Sequence, residues 1–114
     1  MSRALDGVRV LELADRSAAL GGRVLADLGA EVILVEPPGG ASVRHEAPYL
    51  ADEPGVERGF AHLYLNTNKR SVVLDLDAAA DRARFLDLVA TADVLLETLP
   101  PGRLDALGLG HGAL

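Results

Sequence analysis

The sequence predicts an α/β fold, a parallel sheet with helices on its faces, on three observations. Short apolar runs recur at Val8 to Leu13, Glu31 to Glu36, Ser71 to Leu76 and Asp93 to Glu97. Between them, Ala18 to Leu28 and Ala78 to Ala92 repeat their aliphatic residues at helical spacing. The run Val32-Ile33-Leu34-Val35 has no polar face, the pattern of a strand covered on both sides. Strands alternating with helices pair in parallel through right-handed crossovers, and ligand crevices then open at the carboxyl ends of the strands.

In the first strand, Val8, Val10, Leu11 and Leu13 are apolar, and a polar loop from Ala14 to Ser17 follows. A helix begins near Ser17, with Leu20, Val24, Leu25 and Leu28 at helical spacing, and Gly29 stands where a left-handed cap closes it. Glu31 to Glu36 is a central strand. From Pro37 to Phe60 the composition turns to Pro, Gly, Ser, His and Glu without a period, a loop long enough to suggest a functional or partner-ordered segment. Ser71 to Leu76 is the third strand, and Asp77 is placed to cap the helix Ala78 to Ala92. Phe85, Leu86, Leu88, Val89 and Ala92 form its buried stripe, with Asp81, Arg82, Arg84 and Asp87 toward water. Asp93 to Glu97 is the fourth strand, and Pro100-Pro101-Gly102 turns the chain into a short helix from Arg103 to Leu107. The elements describe one domain over residues 1–114, a Rossmann-like three-layer parallel sheet with flanking helices.

Hydrophobic residues at 49% and charged residues at 25% are those of an ordinary globular domain, while aromatics at 4% leave the core to Leu, Val and Ala. A net charge of −6, without clustered Lys and Arg, argues against a nucleic-acid partner. The absence of cysteine excludes disulfides, thiolate metal sites and Cys nucleophiles within these residues. The opening Met1-Ser2-Arg3-Ala4-Leu5-Asp6 has no apolar signal core, and no run approaches the ~20 apolar residues of a membrane span. A soluble, cytoplasmic protein without a membrane partner is expected.

The strand ends at Ala14 to Ser17, Glu36 to Gly40, Asp75 to Asp77 and Glu97 to Pro101 are the functional candidates. In the first turn the Ser17, Ala18 and Ala19 amides and the Arg16 charge suit a phosphate, or form a plain strand-to-helix turn. Ala18, Ala19, Gly21 and Gly22 fit close backbone approach and equally fit tight helix-sheet packing; the G-x-G-x-x-G dinucleotide fingerprint is absent. Glu36 stands where a nicotinamide-binding domain places its ribose-binding acid, or is a solvated acid at a strand end. Asn66, Asn68, Lys69 and Arg70 can hold phosphate or a partner's carboxylates, or serve fold and assembly. His45, His62 and His111 are isolated from metal-ligand spacing, so no metal is expected, and Ser17, Ser42 and Ser71 lack a nucleophile-elbow context.

The stretch Asn66-Thr67-Asn68-Lys69-Arg70-Ser71-Val72-Val73-Leu74-Asp75-Leu76 resembles the N-x-N-K-R-S-V-x-L-D-L signature of the class III coenzyme A transferases. Leu5-Asp6-Gly7-Val8-Arg9-Val10-Leu11-Glu12-Leu13 and Leu25-Ala26-Asp27-Leu28-Gly29-Ala30-Glu31-Val32-Ile33-Leu34-Val35-Glu36-Pro37-Pro38-Gly39-Gly40 are similar to the same family, in the same order. The resemblance runs from Leu5 to the end, and the family includes formyl-CoA and carnitine-related CoA transferases and α-methylacyl-CoA racemases. It implies a Rossmann-like large domain that binds coenzyme A (CoA), in a ring-shaped subunit interlocked with a second copy as a homodimer. Its substrates would be an acyl-CoA and a carboxylic acid. In the transferases an aspartate attacks the acyl-CoA to give a mixed anhydride and then a CoA thioester on the carboxylate. No position here matches that aspartate, so the expectation is an N-terminal CoA-binding segment without turnover of its own.

The resemblance places the family's first-turn backbone contacts on Arg16, Ser17 and Ala18. Pro37 stands where some members have Arg, and Leu74 is kept. Asp77 replaces a frequent Lys, Thr98-Leu99 replaces Asn-Phe, and Ala106 replaces an Arg. Charge-assisted hydrogen bonds are worth ~1.5 to 3 kcal/mol each, so losing these cations implies weakened CoA binding. Two other readings stay open: a non-catalytic assembly domain of a fused or paired protein, and a fragment of an NAD-binding oxidoreductase.

Overall fold

The computed structural model describes residues 2–114. Strands β1 (Arg9–Leu13), β2 (Glu31–Glu36), β3 (Arg70–Val73) and β4 (Val94–Glu97) form one parallel sheet in the order β3-β2-β1-β4. Helices α1 (Arg16–Asp27), α2 (Phe60–Leu65), α3 (Ala79–Val89) and α4 (Arg103–Ala106) complete the expected α/β architecture. The chain steps outward from β1 through β2 to β3, then returns across the sheet to place β4 on the other side of β1. The strand order therefore reverses between β1 and β4, where a parallel sheet leaves a crevice beyond its carboxyl ends. Among the described residues, no helix is long and apolar enough to cross a membrane.

Side chains alternate across a strand, and both faces of the two central strands are covered. Val10, Val32 and Leu34 pack with Ala19, Ala26 and Leu65 on the α1 face. Leu11, Leu13, Ile33 and Val35 pack with Leu74, Phe85 and Leu109 on the α3 face. The same alternation carries Glu12 and Glu36 into the α1 face, where both are buried. Glu12 meets the buried ammonium of Lys69, whose three donors go to Glu12 Oε2 (3.0 Å), Ala19 O (2.9 Å) and Asn66 Oδ1 (2.8 Å). Glu12 Oε1 lies 2.8 Å from the same nitrogen, so both carboxylate oxygens face the ammonium. Burial pushes the Glu12 carboxyl up and the Lys69 ammonium down, and their mutual hydrogen bond and charge attraction oppose both shifts.

This buried pair decides how α1 lies. Ala19, Gly22 and Ala26 turn to the sheet; of the aliphatic residues at helical spacing, Leu25 is partly buried beside them, while Leu20, Val24 and Leu28 are 50%, 48% and 46% exposed. The helix needs its small residues inward because a Cβ on Gly22 would stand 1.7 Å from Glu12 Oε1. Gly29 ends the helical segment in the left-handed region expected of it, at φ +109°.

Elsewhere the expectations shift by a few residues or by role. Phe60–Leu65, a stretch to which the sequence pattern assigns no element beyond the loop end at Phe60, forms α2, too short at six residues to show a period. The Pro37 to Phe60 loop holds short 3-10 turns at Ser42–His45 and Leu50–Asp52. Strand β3 begins at Arg70 and stops at Val73, and the chain turns from Asp75, whose carboxylate accepts the Asp77 amide at 3.0 Å. Asp77 does not cap α3: its carboxylate accepts from Arg103, and Asp81 reaches back from the first turn to accept the Asp75 amide at 2.8 Å. Leu86 is 39% exposed rather than part of the buried stripe, which centres on Phe85.

The two adjacent glycines of α1 make a paired prediction. Gly21 faces open space, so Gly21→Ala gains about 0.5 to 1 kcal/mol from helix propensity. Gly22→Ala forces the buried Glu12 to move and costs about 2 kcal/mol net, both values read from urea unfolding midpoints. Equal stabilisation by both substitutions would contradict the packing described.

Candidate functional site

At the carboxyl end of β2 the chain buries a second acid. Glu36 Oε1 accepts from the Ala41 amide at 2.8 Å and from Arg44 Nε at 2.5 Å. Oε2 accepts from Arg44 Nη2 at 2.9 Å and from the Ser71 hydroxyl. Burial pushes this carboxyl up, but the bonds from Arg44, Ala41 and Ser71 outweigh it and hold the pKa at about 2. Arg44 continues to Val56 O at 2.7 Å and to Glu57 at 3.0 Å, pinning the long loop onto the sheet. Glu36 is therefore neither a solvated acid nor a ribose ligand: both oxygens are occupied, which removes the residue-level basis for a nicotinamide site.

The polar motif before β3 is likewise engaged inside the molecule. Asn66 donates to His62 Nδ1 at 2.9 Å, Asn68 donates to Asp27 at 2.8 Å from a left-handed turn, and Arg70 pairs with Glu31 at 3.1 Å. With Lys69 on Glu12 and Ser71 on Glu36, the motif fastens α1, β1 and β2 together. Of the readings open for Lys69, the one in service of the fold holds, because the ammonium is closed off from any phosphate. His62 is buried, and burial together with the charge of Arg44 pushes its imidazole down. Among the described residues no cluster of three or more His, Cys, Asp or Glu can hold a metal ion.

Above these anchors a cleft of about 330 Å³ opens at the reversal of strand order, between the ends of β1 and β4 and walled by the ends of β2 and β3. Pro37, Leu74, Asp77, Thr98 and Leu99, five of the positions nominated from the sequence, line it together. Leu13, Leu76 and Leu107 add apolar wall, and Asp15 and Asp75 add negative charge. The Thr98 hydroxyl accepts from the Asp15 amide at 2.8 Å and donates to Asp15 Oδ1 at 3.1 Å, tying the first turn to the end of β4.

Arg16, Ser17 and Ala18 sit at the start of α1 and do not line the cleft. The Ser17 amide donates to the Asp15 carboxylate at 2.9 Å, and the Ala18 and Ala19 amides turn back to Asp15 O. Hydrogen bonds from Ser17 hold the Asp15 carboxyl below its ordinary range. Arg16 pairs with Glu46 at 2.6 Å. Ala106 does not line the cleft, whereas Arg103, not singled out by sequence reasoning, does. A larger hollow of about 550 Å³ runs along the free edge of β4, past Val94 and His111; of the strand-end candidates it is lined by Glu97, Pro100 and Pro101, and by none of the positions carried over from the resemblance.

Folding lowers the Glu36 pKa from about 4.5 to about 2, so its stabilisation is complete above pH 4.5 and is lost as the pH falls toward 2. Glu36→Gln leaves the buried Arg44 with the exposed Glu57 as its one remaining carboxylate and costs about 3 kcal/mol at pH 7. The variant should also lose stability less steeply between pH 4.5 and 2, measured by urea unfolding across that range; an unchanged slope would contradict the role given to Glu36.

The comparisons with known proteins agree with one another. The family model described as CoA-transferase family III matches residues 5–114. A probable fatty acyl-CoA transferase of Mycobacterium tuberculosis is 44% identical over 110 residues, covering 96% of this chain and 27% of its own length. The succinyl-CoA:(R)-benzylsuccinate CoA-transferase subunit BbsE of Thauera aromatica is 36% identical over 114 residues, 100% of this chain and 28% of its own. The crystal structure of a CAIB/BAIF family protein from Brucella suis superposes with a TM-score of 0.87 at 36% identity, covering 99% of this chain and 30% of that one. The chain thus spans under a third of the length of these relatives. A match from residue 5 to residue 114, on the fold and the strand-end cleft described, means that the chain belongs to CoA-transferase family III.

Proposed function

We propose that this chain supplies CoA-binding loops to an enzyme that moves CoA between an acyl-CoA and a carboxylic acid, in the cytoplasm. The observation that carries this is the convergence of Pro37, Leu74, Asp77, Thr98 and Leu99, from three strand ends, on one cleft at the reversal of strand order. Leu99 and Leu107, each half-buried, offer apolar wall for a purine ring, with Leu74 buried behind them. Thr98 and Asp15, locked to each other, fix the distance between the two strand ends on either side of it. The carboxylate that receives the acyl group lies outside these 114 residues in this reading, so residues 1–114 bind and orient and do not themselves attack the thioester. Transfer is favoured over epimerisation because the relatives named above include CoA-transferases.

A second reading, a non-catalytic assembly domain, has one observation in its favour: Asp15, Asp75 and Asp77 give the cleft a negative rim that repels phosphate. CoA separates the two. Binding to the native state stabilises by about 2.7 kcal/mol when ligand is 100 times its Kd, so the first reading predicts a rise of the melting temperature with CoA concentration. No shift up to millimolar CoA would leave the assembly reading. Pairing with a second copy belongs to the proposal, supported by the half-exposed Leu20, Val24 and Leu28 face of α1. Sedimentation velocity at micromolar concentration should show a dimer, and a stable monomer would count against it.

A further inference from the structure

We propose that Arg103, held at the cleft by Asp77, is the residue that receives a phosphate of the bound nucleotide, and that Asp77 is its built-in competitor. This rests on the reading of the cleft as a CoA site. The other cations near the strand ends are committed elsewhere. Arg44 is buried against Glu36, Lys69 is buried against Glu12, and Arg16 pairs with Glu46 away from the cleft wall. Among the described residues lining the cleft, Arg103 is the one cation. Its Nη2 donates to Asp77 Oδ1 at 2.8 Å, while the two side chains are 42% and 70% exposed.

A solvated pair of this kind is weak, and one acceptor engages one of the five donors that a guanidinium carries. Arg103 is nonetheless well placed, since its amide bonds to Pro100 O at 3.0 Å in a turn that Gly102 completes at φ +84°. Apolar Leu74, Leu99 and Leu107 lie in the same cleft, so the site suits a ligand with a flat ring and a phosphate. The acidic rim makes this cation decisive, because an anion entering past Asp15 and Asp75 finds no other positive side chain in the wall. The phosphate that best displaces a carboxylate is a phosphomonoester, which carries about −1.5 to −2 charges at neutral pH, more than either phosphoryl group of a diphosphate bridge. In CoA that group is the ribose 3′-phosphate, so Arg103 distinguishes CoA from dephospho-CoA.

The test is calorimetric titration of the protein with CoA and with dephospho-CoA, for the native sequence and for Arg103→Ala, Arg103→Lys and Asp77→Asn. The native protein should bind CoA about tenfold more tightly than dephospho-CoA, in line with a charge-assisted contact. Arg103→Ala should bring that ratio close to one by weakening CoA about tenfold more than it weakens dephospho-CoA. Arg103→Lys should keep part of the ratio, and Asp77→Asn should raise CoA affinity severalfold by freeing the guanidinium. A folded Arg103→Ala protein with the native ratio overturns the proposal while leaving CoA binding intact. Should that variant fail to fold, an Asp77→Asn protein with unchanged CoA affinity overturns it equally. Failure of the native protein to bind either ligand overturns the CoA reading and this inference with it.

Discussion

The ammonium of Lys69, enclosed against Glu12, is the contact on which the α1 side of the molecule depends. It joins an acid in the middle of β1, a carbonyl of α1 and an amide side chain at the end of α2, three elements far apart in sequence. Burial works against both charges, so the pair is not simply a source of stability; removing either partner would leave the other charged and enclosed. The geometry it demands reaches further. Gly22 must have no side chain, α1 must present its small residues inward, and its large aliphatic residues are left half exposed. The first turn follows from the position of that helix, and with it the Asp15 and Thr98 link across the reversal of strand order.

The second enclosed acid does for the loops what the first does for the helix. Glu36 gathers the amide of Ala41, the guanidinium of Arg44 and the hydroxyl of Ser71, thereby holding the start of the long loop and the start of β3 against the end of β2. With those segments fixed, the strand ends from Leu74 to Asp77 and from Thr98 to Pro100 face one space rather than four separate turns. The resulting cleft has apolar walls and a negative rim, and Arg103 is the one cation among its described lining residues.

Much of this was legible in the sequence, and the failures have physical causes. Four apolar runs and their spacing gave a parallel α/β sheet, and Gly29 marked the end of α1 because only a left-handed residue fits there. The two buried acids were missed because an acid in or at the end of a strand reads as solvated. The signal was present, since Glu12 shares the parity of Val10 and Glu36 that of Leu34, in strands whose two faces are both covered. Their partners were harder to see: Lys69 lies 57 residues from Glu12, a separation that no local pattern encodes. On α1 the sequence leaves the small residues open between ligand approach and helix-sheet packing; Ala19 and Gly22 serve packing, because close approach to a buried side chain favours Ala and Gly. Asp77 looked like a helix cap by position, yet Arg103 competes for its carboxylate from across the cleft.

Hydrogen-deuterium exchange of the protein with and without saturating CoA would test most directly whether the strand-end cleft, supported by the two buried acids, is where CoA sits. The account predicts slowed exchange at residues 74–77 and 98–103, with little change along the outer face of α1. Protection confined to the free edge of β4, around Val94 and His111, would place the ligand elsewhere and contradict the account.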